Sequence, residues 1–229
     1  MLGVLVNTLT VLIGSSVGLI FRKGIPDKVT GAAMTGIGLC TMYIGIDGLM
    51  AGQNVLILIA STIIGVIIGT LLDIDGKING LGRYVEKHFG KKDGKTPVAQ
   101  GFVTASLLFC IGSMTIVGSL ESGLTGDNSM IYTKSLLDLI SSSMLAATLG
   151  YGVMIASAFV FVFQGALVLL AGLLKPLLTD AAIAEMICSG SLIILALGLN
   201  ITGITKIKVA DFLPAIFVAP IICFMLTIF

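Results

Sequence analysis

Residues 106–152 read SLLFCIGSMTIVGSLESGLTGDNSMIYTKSLLDLISSSMLAATLGYG. Two apolar runs of helical length flank a polar turn, and both runs carry groups that an ordinary apolar helix avoids. Gly112, Gly118, Gly123 and Gly126 surround Ser113, Thr115, Ser119 and Glu121; Asp127, Lys134, Asp138 and the run Ser141, Ser142, Ser143 follow. Glycines and hydroxyls at membrane depth loosen a helix and re-satisfy freed backbone groups, so unwound carbonyls can face a cavity. A charge in hydrocarbon costs about 2.5–3.5 kcal/mol or more, so Glu121, Lys134 and Asp138 must be paired, at an interface, or lining a polar path. Lys134 and Asp138 stand at i and i+4, on one helix face. Two readings stay open: a short external loop from Glu121 to Lys134 with Asp138 barely inside, or a solute or ion site built from this insert. Ser157 and Gln164 on the next helix extend the second.

The surroundings are those of a membrane protein. Of 229 residues, 56% are apolar and 11% charged, against roughly 25% charged in a soluble domain, which excludes a soluble globule. Apolar segments fall at 2–21, 31–50, 53–72, 99–120, 131–149, 151–174, 184–205 and 210–228. Eight spans of about 20 residues would use ~160 residues, each crossing ~30 Å at 1.5 Å per residue. The expected fold is a single all-α polytopic membrane domain over residues 1–229. Gly150-Tyr151-Gly152 leaves open whether 135–174 is two helices or one broken helix. Whether 99–120 and 131–149 both cross or together form a re-entrant hairpin is equally open. The first 21 residues lack a basic leader and run into Arg22 and Lys23, so they read as a retained span.

Basic residues set the expected topology, because Lys and Arg near span ends stay cytoplasmic. With the N-terminus outside, eleven fall in cytoplasmic loops: Arg22, Lys23, Lys28, Lys77, Arg83, Lys87, Lys91, Lys92, Lys95, Lys206 and Lys208. Only Lys134 and Lys175 remain outside. Both termini are therefore expected outside. In the cytoplasmic loop 73–98, Ile78, Leu81, Val85 and Phe89 recur at helical spacing among basic residues, the pattern of a helix lying in the interface.

A shift of 153 residues sets Asp27 on Asp180, Gly45 on Gly198 and Asp47 on Asn200. With two segments between the copies, repeats 1–72 and 151–229 would have inverted topology, a 3+2+3 arrangement around the insert 99–149, as in many secondary transporters. Gly14-x3-Gly18 and Gly65-x3-Gly69 read as close helix packing. Asp47, Asn54 and Asn200, near the ends of their spans, form a second polar set that capping and turn formation explain at least as well. Glu185 reads as a carboxylate near a helix N-terminus.

Enzymatic function is not expected. His88 is the only histidine, Cys40, Cys110, Cys188 and Cys223 show no ligand spacing, and no nucleophile–base pair is evident. No metal and no cofactor is implied. Gly90-Lys-Lys-Asp-Gly-Lys95-Thr96 departs from a phosphate loop by one residue and follows no strand. A net charge of +1 advertises no nucleic acid.

GTLLDIDGKINGLGRYVE after the third span, FCIGSMTIVGSLESGLTGD in the fourth and KSLLDLISSSMLAATLGYGV in the fifth resemble the bacterial YdfK/YqgA-like membrane proteins, a domain-of-unknown-function family. The resemblance covers essentially the whole chain and implies a multi-pass protein of the bacterial cytoplasmic membrane. It supplies no substrate and no residue roles. The expected function is a secondary transporter or channel for an ion or small polar solute, with a midplane site drawn from Ser113, Thr115, Glu121, Lys134, Asp138, Ser142 and Gln164. The alternative is a structural or regulatory membrane protein, a scaffold or sensor without transport. Expected partners are the lipid bilayer and the solute or ion; a homodimer is the default oligomer, C2 assemblies being the commonest.

Overall fold

The computed structural model describes residues 1–22, 27–80, 98–176 and 178–228. It is helical throughout, with no strand among the described residues. In chain order the helices are α1 (Leu2–Arg22), α2 (Asp27–Leu49), α3 (Val55–Leu71) and α4 (Ile74–Gly80), then α5 (Val98–Cys110) and α6 (Ser113–Leu124). They continue with α7 (Ser129–Leu149), α8 (Tyr151–Leu169), α9 (Ala171–Leu174), α10 (Asp180–Ile201), a 3-10 turn (Val209–Phe212) and α11 (Ala215–Ile228).

Five stretches are long and apolar enough to cross a membrane: Leu2–Arg22, Gly31–Leu49, Tyr151–Leu169, Asp180–Ile201 and Val209–Leu226. Two bent pairs raise the number to seven, α3 with α4 (53°) and α5 with α6 (58°). The remaining segment is α7, whose 21 residues reach about 31 Å but whose polar content dilutes its hydropathy. The eight apolar segments expected from the sequence are thus all helical. Of the expected interfacial helix, Ile78 lies in α4, while Leu81, Val85 and Phe89 lie outside the described residues, as does the 90–96 segment.

The chain forms two compact units, Met1–Met34 with Asn79–Gly172, and Thr35–Ile78 with Leu173–Phe229. These limits differ from those of the repeats 1–72 and 151–229. In the first unit α1 packs along α7 in parallel: Gly3 lies at Asn128, Gly14 at Leu139 and Ser142, Gly18 at Ser143 and Ala146. A side chain at Gly14 or Gly18 would strike the α7 backbone carbonyls, so the small-residue spacing is a packing seam.

The α5–α6 pair runs beside α8, from Gly101 and Phe102 at Gly152 to Gly123 at Val168 and Ala171. The turn after α6 reaches Gly3, at the start of α1. The pair therefore runs alongside the full length of α8, bent by 58° at its break. α7 and α8 are separate helices because Gly150 adopts φ 78°, ψ −151°, a backbone region essentially closed to residues with a Cβ.

In the second unit α2 packs antiparallel to α10, with Gly38 near Thr202, Gly45 at Leu195, Gly48 at Ser191 and Gly52 at Cys188. Gly65 and Gly69 of α3 meet Ala215 and Asp211. Asn54 and Thr179 cap α3 and α10, their side chains accepting from the Leu56 N–H (3.0 Å) and the Ala182 N–H (3.2 Å). A small apolar core of Ile57, Ala182, Ala219 and Cys223 closes this end.

Candidate functional site

Most buried hydroxyls of the first unit bond their own helix. Ser15 donates to the Val11 carbonyl (2.6 Å), Ser135 to Ile131 (2.7 Å), Ser142 to Leu139 (3.2 Å) and Ser157 to Met154 (2.6 Å). Such back-bonding satisfies a hydroxyl locally and leaves little to offer a ligand. Thr115 donates instead across the α5–α6 break to the Phe109 carbonyl (2.8 Å), replacing a helical bond lost where the chain bends. Ser142 and Thr115 are thus accounted for structurally. Ser113 opens α6, and its side chain lies outside the described residues.

Lys134 and Asp138 form an ion pair with side chains only 7% and 9% exposed. The Lys134 ammonium also stands over the Phe109 ring, 5.7 Å from its centroid, a cation–π contact that partly replaces lost hydration. Asn7 of α1 lies beside Asp138 and donates through Nδ2 to Gln164 Oε1 of α8 (3.1 Å). Four polar side chains from three helices thus cluster as two bonded pairs, Lys134–Asp138 and Asn7–Gln164. Both carboxamides are fully buried. Asn7 Oδ1 and Gln164 Nε2 have no hydrogen-bond partner among the described residues.

From the ends at which α1 and α7 begin, Leu2 and Ser129, Asn7 and Lys134 each lie about 8 Å along the axis and Asp138 about 14 Å. The cluster occupies the half of the unit where these two helices start.

Of the residues singled out from sequence, the structure brings together Lys134, Asp138 and Gln164. Glu121 stands apart, exposed near the end of α6. Asp127 lies in the α6–α7 turn, where the Ser129 hydroxyl (2.6 Å) and N–H (2.9 Å) hold its carboxyl below the usual carboxylate range. Asn7 was missed, although a carboxamide in the apolar run LGVLVNTLTVLIG is itself the signal, since polar groups in spans usually face a partner or a cavity.

Asp47, Asn54 and Asn200 do not form a cluster. Asp47 is exposed. Asn54 is the α3 cap, and Asn200 holds the turn after α10, accepting from the Ile207 N–H (2.9 Å) and Thr205 hydroxyl (2.7 Å) and donating to the Ile207 carbonyl (2.6 Å). Glu185, 1% exposed, serves a helix other than its own. Its Oε1 accepts from the Gln53 and Asn54 N–H groups, both at 2.7 Å, so the carboxylate ties down the N-terminus of α3, where an anion is favoured. Cys110, Cys188 and Cys223 are buried and Cys40 is exposed; all four are free thiols. No group of three or more metal-ligating side chains occurs among the described residues.

The family described as protein of unknown function (DUF554) matches residues 2–224. The uncharacterized membrane protein YdfK of Bacillus subtilis (strain 168) is 33% identical over 233 residues, covering 100% of this chain and 98% of that protein. The uncharacterized protein YqgA of Escherichia coli (strain K12) is 29% identical over 221 residues, 95% of this chain and 94% of that protein. No solved structure matches the chain. With the family match running almost from end to end, the chain belongs to the DUF554 family.

Proposed function

We propose that this protein is a secondary transporter or channel that passes an ion or small polar solute across the bacterial cytoplasmic membrane, without enzymatic chemistry of its own and with both termini outside. The observation that supports it is the buried cluster of the Lys134–Asp138 and Asn7–Gln164 pairs. Burying charge and carboxamide in an apolar bundle is costly, and helix packing alone is served by the glycine seams of α1. The break between α5 and α6 places the Phe109 ring beside the same pair, which fits a pathway built on a broken helix.

The test is flux in proteoliposomes against a panel of Na⁺, K⁺, Cl⁻, phosphate, amino acids and small neutral solutes, with wild type and Asp138→Asn. The reading expects at least one solute to move through wild type faster than through protein-free vesicles, and a folded Asp138→Asn protein to lose that flux. Unchanged flux in Asp138→Asn overturns the site assignment, and no flux of any member overturns the transport reading in favour of a scaffold or sensor.

A further inference from the structure

The two pairs of the polar cluster differ. In one, Lys134 and Asp138 neutralise each other. In the other, two fully buried carboxamides share one hydrogen bond and leave an acceptor, Asn7 Oδ1, and a donor, Gln164 Nε2, without partners among the described residues. Turning both amides over would exchange which residue supplies the donor but leave one of each, and turning one alone would set like atoms against each other.

A cation bound here would have to take Asp138 from Lys134, and an anion would have to take Lys134 from Asp138. Either leaves a buried charge without its partner. An uncharged molecule offering one N–H and one carbonyl meets both free atoms and leaves the ion pair intact. Resting on the reading of this unit as a transport site, we propose that the Asn7–Gln164 pair recognises a small neutral solute of the primary amide or urea type, donating to one carboxamide and accepting from the other. The ion pair beside Asn7 is then left intact by the solute.

Stopped-flow reswelling of proteoliposomes tests this with acetamide and urea as probes, beside Na⁺, K⁺ and Cl⁻ conductance in the same preparation. The expected result is entry of acetamide or urea at least tenfold faster than into protein-free vesicles, with a tenfold or greater loss in Gln164→Met and Asn7→Leu. Each single variant also breaks the Asn7–Gln164 hydrogen bond and orphans the remaining carboxamide, which lowers thermal stability; the double variant Asn7→Leu/Gln164→Met leaves neither carboxamide buried and should melt closer to wild type while losing the same flux. Should either fold poorly, the wild-type comparison of neutral solutes with ions decides. Ion conductance that Asp138→Asn abolishes, with neutral solutes entering no faster than through bare lipid, overturns the solute class and leaves the transport reading standing. Absence of both activities overturns both. Neutral-solute entry that is intact in Gln164→Met and Asn7→Leu overturns the assignment to these carboxamides, as does an experimental structure in which water alone bridges them while neutral solutes have no effect.

Discussion

Replacing Asp138 by Asn keeps the shape of the side chain and strands the Lys134 ammonium among Phe109 and the apolar walls of α5 and α7. The cost comes from the orphaned charge more than from the lost contact: a hydrogen bond between spans is worth only about 0.6 kcal/mol on average, whereas an unpaired Lys in hydrocarbon costs about 2.5–3.5 kcal/mol. For a chain of this size each kcal/mol moves Tm by about 2–4 °C, so Asp138→Asn should melt roughly 5–14 °C below wild type. Lys134→Met should lose a similar amount by stranding the carboxylate. The double variant Lys134→Met/Asp138→Asn has no stranded charge and should recover to within about 1 kcal/mol of wild type, as expected when a buried pair is replaced by neutral groups. The protein has no Trp, but Cys110, Cys188 and Cys223 are buried. A thiol-reactive dye in a Cys40→Ser background therefore reports unfolding in detergent. If Asp138→Asn melts with wild type and the double variant is no better than either single one, the pair is solvated and the argument from burial fails.

Three further outcomes follow from the packing and the turns. Gly14→Val should cost about 1–3 kcal/mol by forcing α1 off the α7 backbone, since its Cβ would meet the Leu139 carbonyl; Gly165→Ala, whose Cβ finds nothing nearer than 3.9 Å, should instead stabilise by about 0.5–1 kcal/mol, both read from the same melts. Glu185→Ala removes the acceptor of two N–H groups, each bond to a charged group being worth about 1.5–3 kcal/mol; amide exchange at Gln53 and Asn54 should rise sharply, and less so in Glu185→Gln, which keeps one acceptor oxygen. Asp127, held below the usual carboxylate range by Ser129, should titrate lower than an ordinary carboxylate by carboxyl carbon NMR, and Ser129→Ala should move it up. A depressed carboxylate stabilises above its unfolded pKa and loses that contribution as pH falls through the folded one, so the α6–α7 turn should loosen only on the acid side.

The helices were legible because the bilayer leaves so little choice: backbone groups in hydrocarbon must be satisfied internally, and each crossing needs about 20 apolar residues. Residues 131–149, the most polar of the eight segments, are helical over 129–149. The Gly14 and Gly65 spacings foretold seams, but not which helices would meet there. Long-range pairing was the illegible part. Glu121 drew attention from its place in the insert and is exposed, while Glu185, read as an N-terminal carboxylate of its own helix, is buried against the start of another. Nothing local separates those two glutamates, because the difference lies in partners 131 and 132 positions away.

The same distinction sorts the polar residues inside the spans. Ser and Thr reach back to a carbonyl one turn earlier, as Ser15, Ser135 and Ser157 do here, so a hydroxyl in an apolar helix satisfies itself at almost no architectural cost. A carboxamide carries two donors and an acceptor and cannot discharge them all on its own helix. Asn54 and Asn200 settle theirs in turns at helix ends, but Asn7 and Gln164 lie inside helices and must find partners on others. The Gly/Ser-rich insert therefore supplies the break and the close packing, and it leaves the Ser106 and Ser119 hydroxyls without partners among the described residues, whereas the two unpaired carboxamide groups of the interior come one each from α1 and α8.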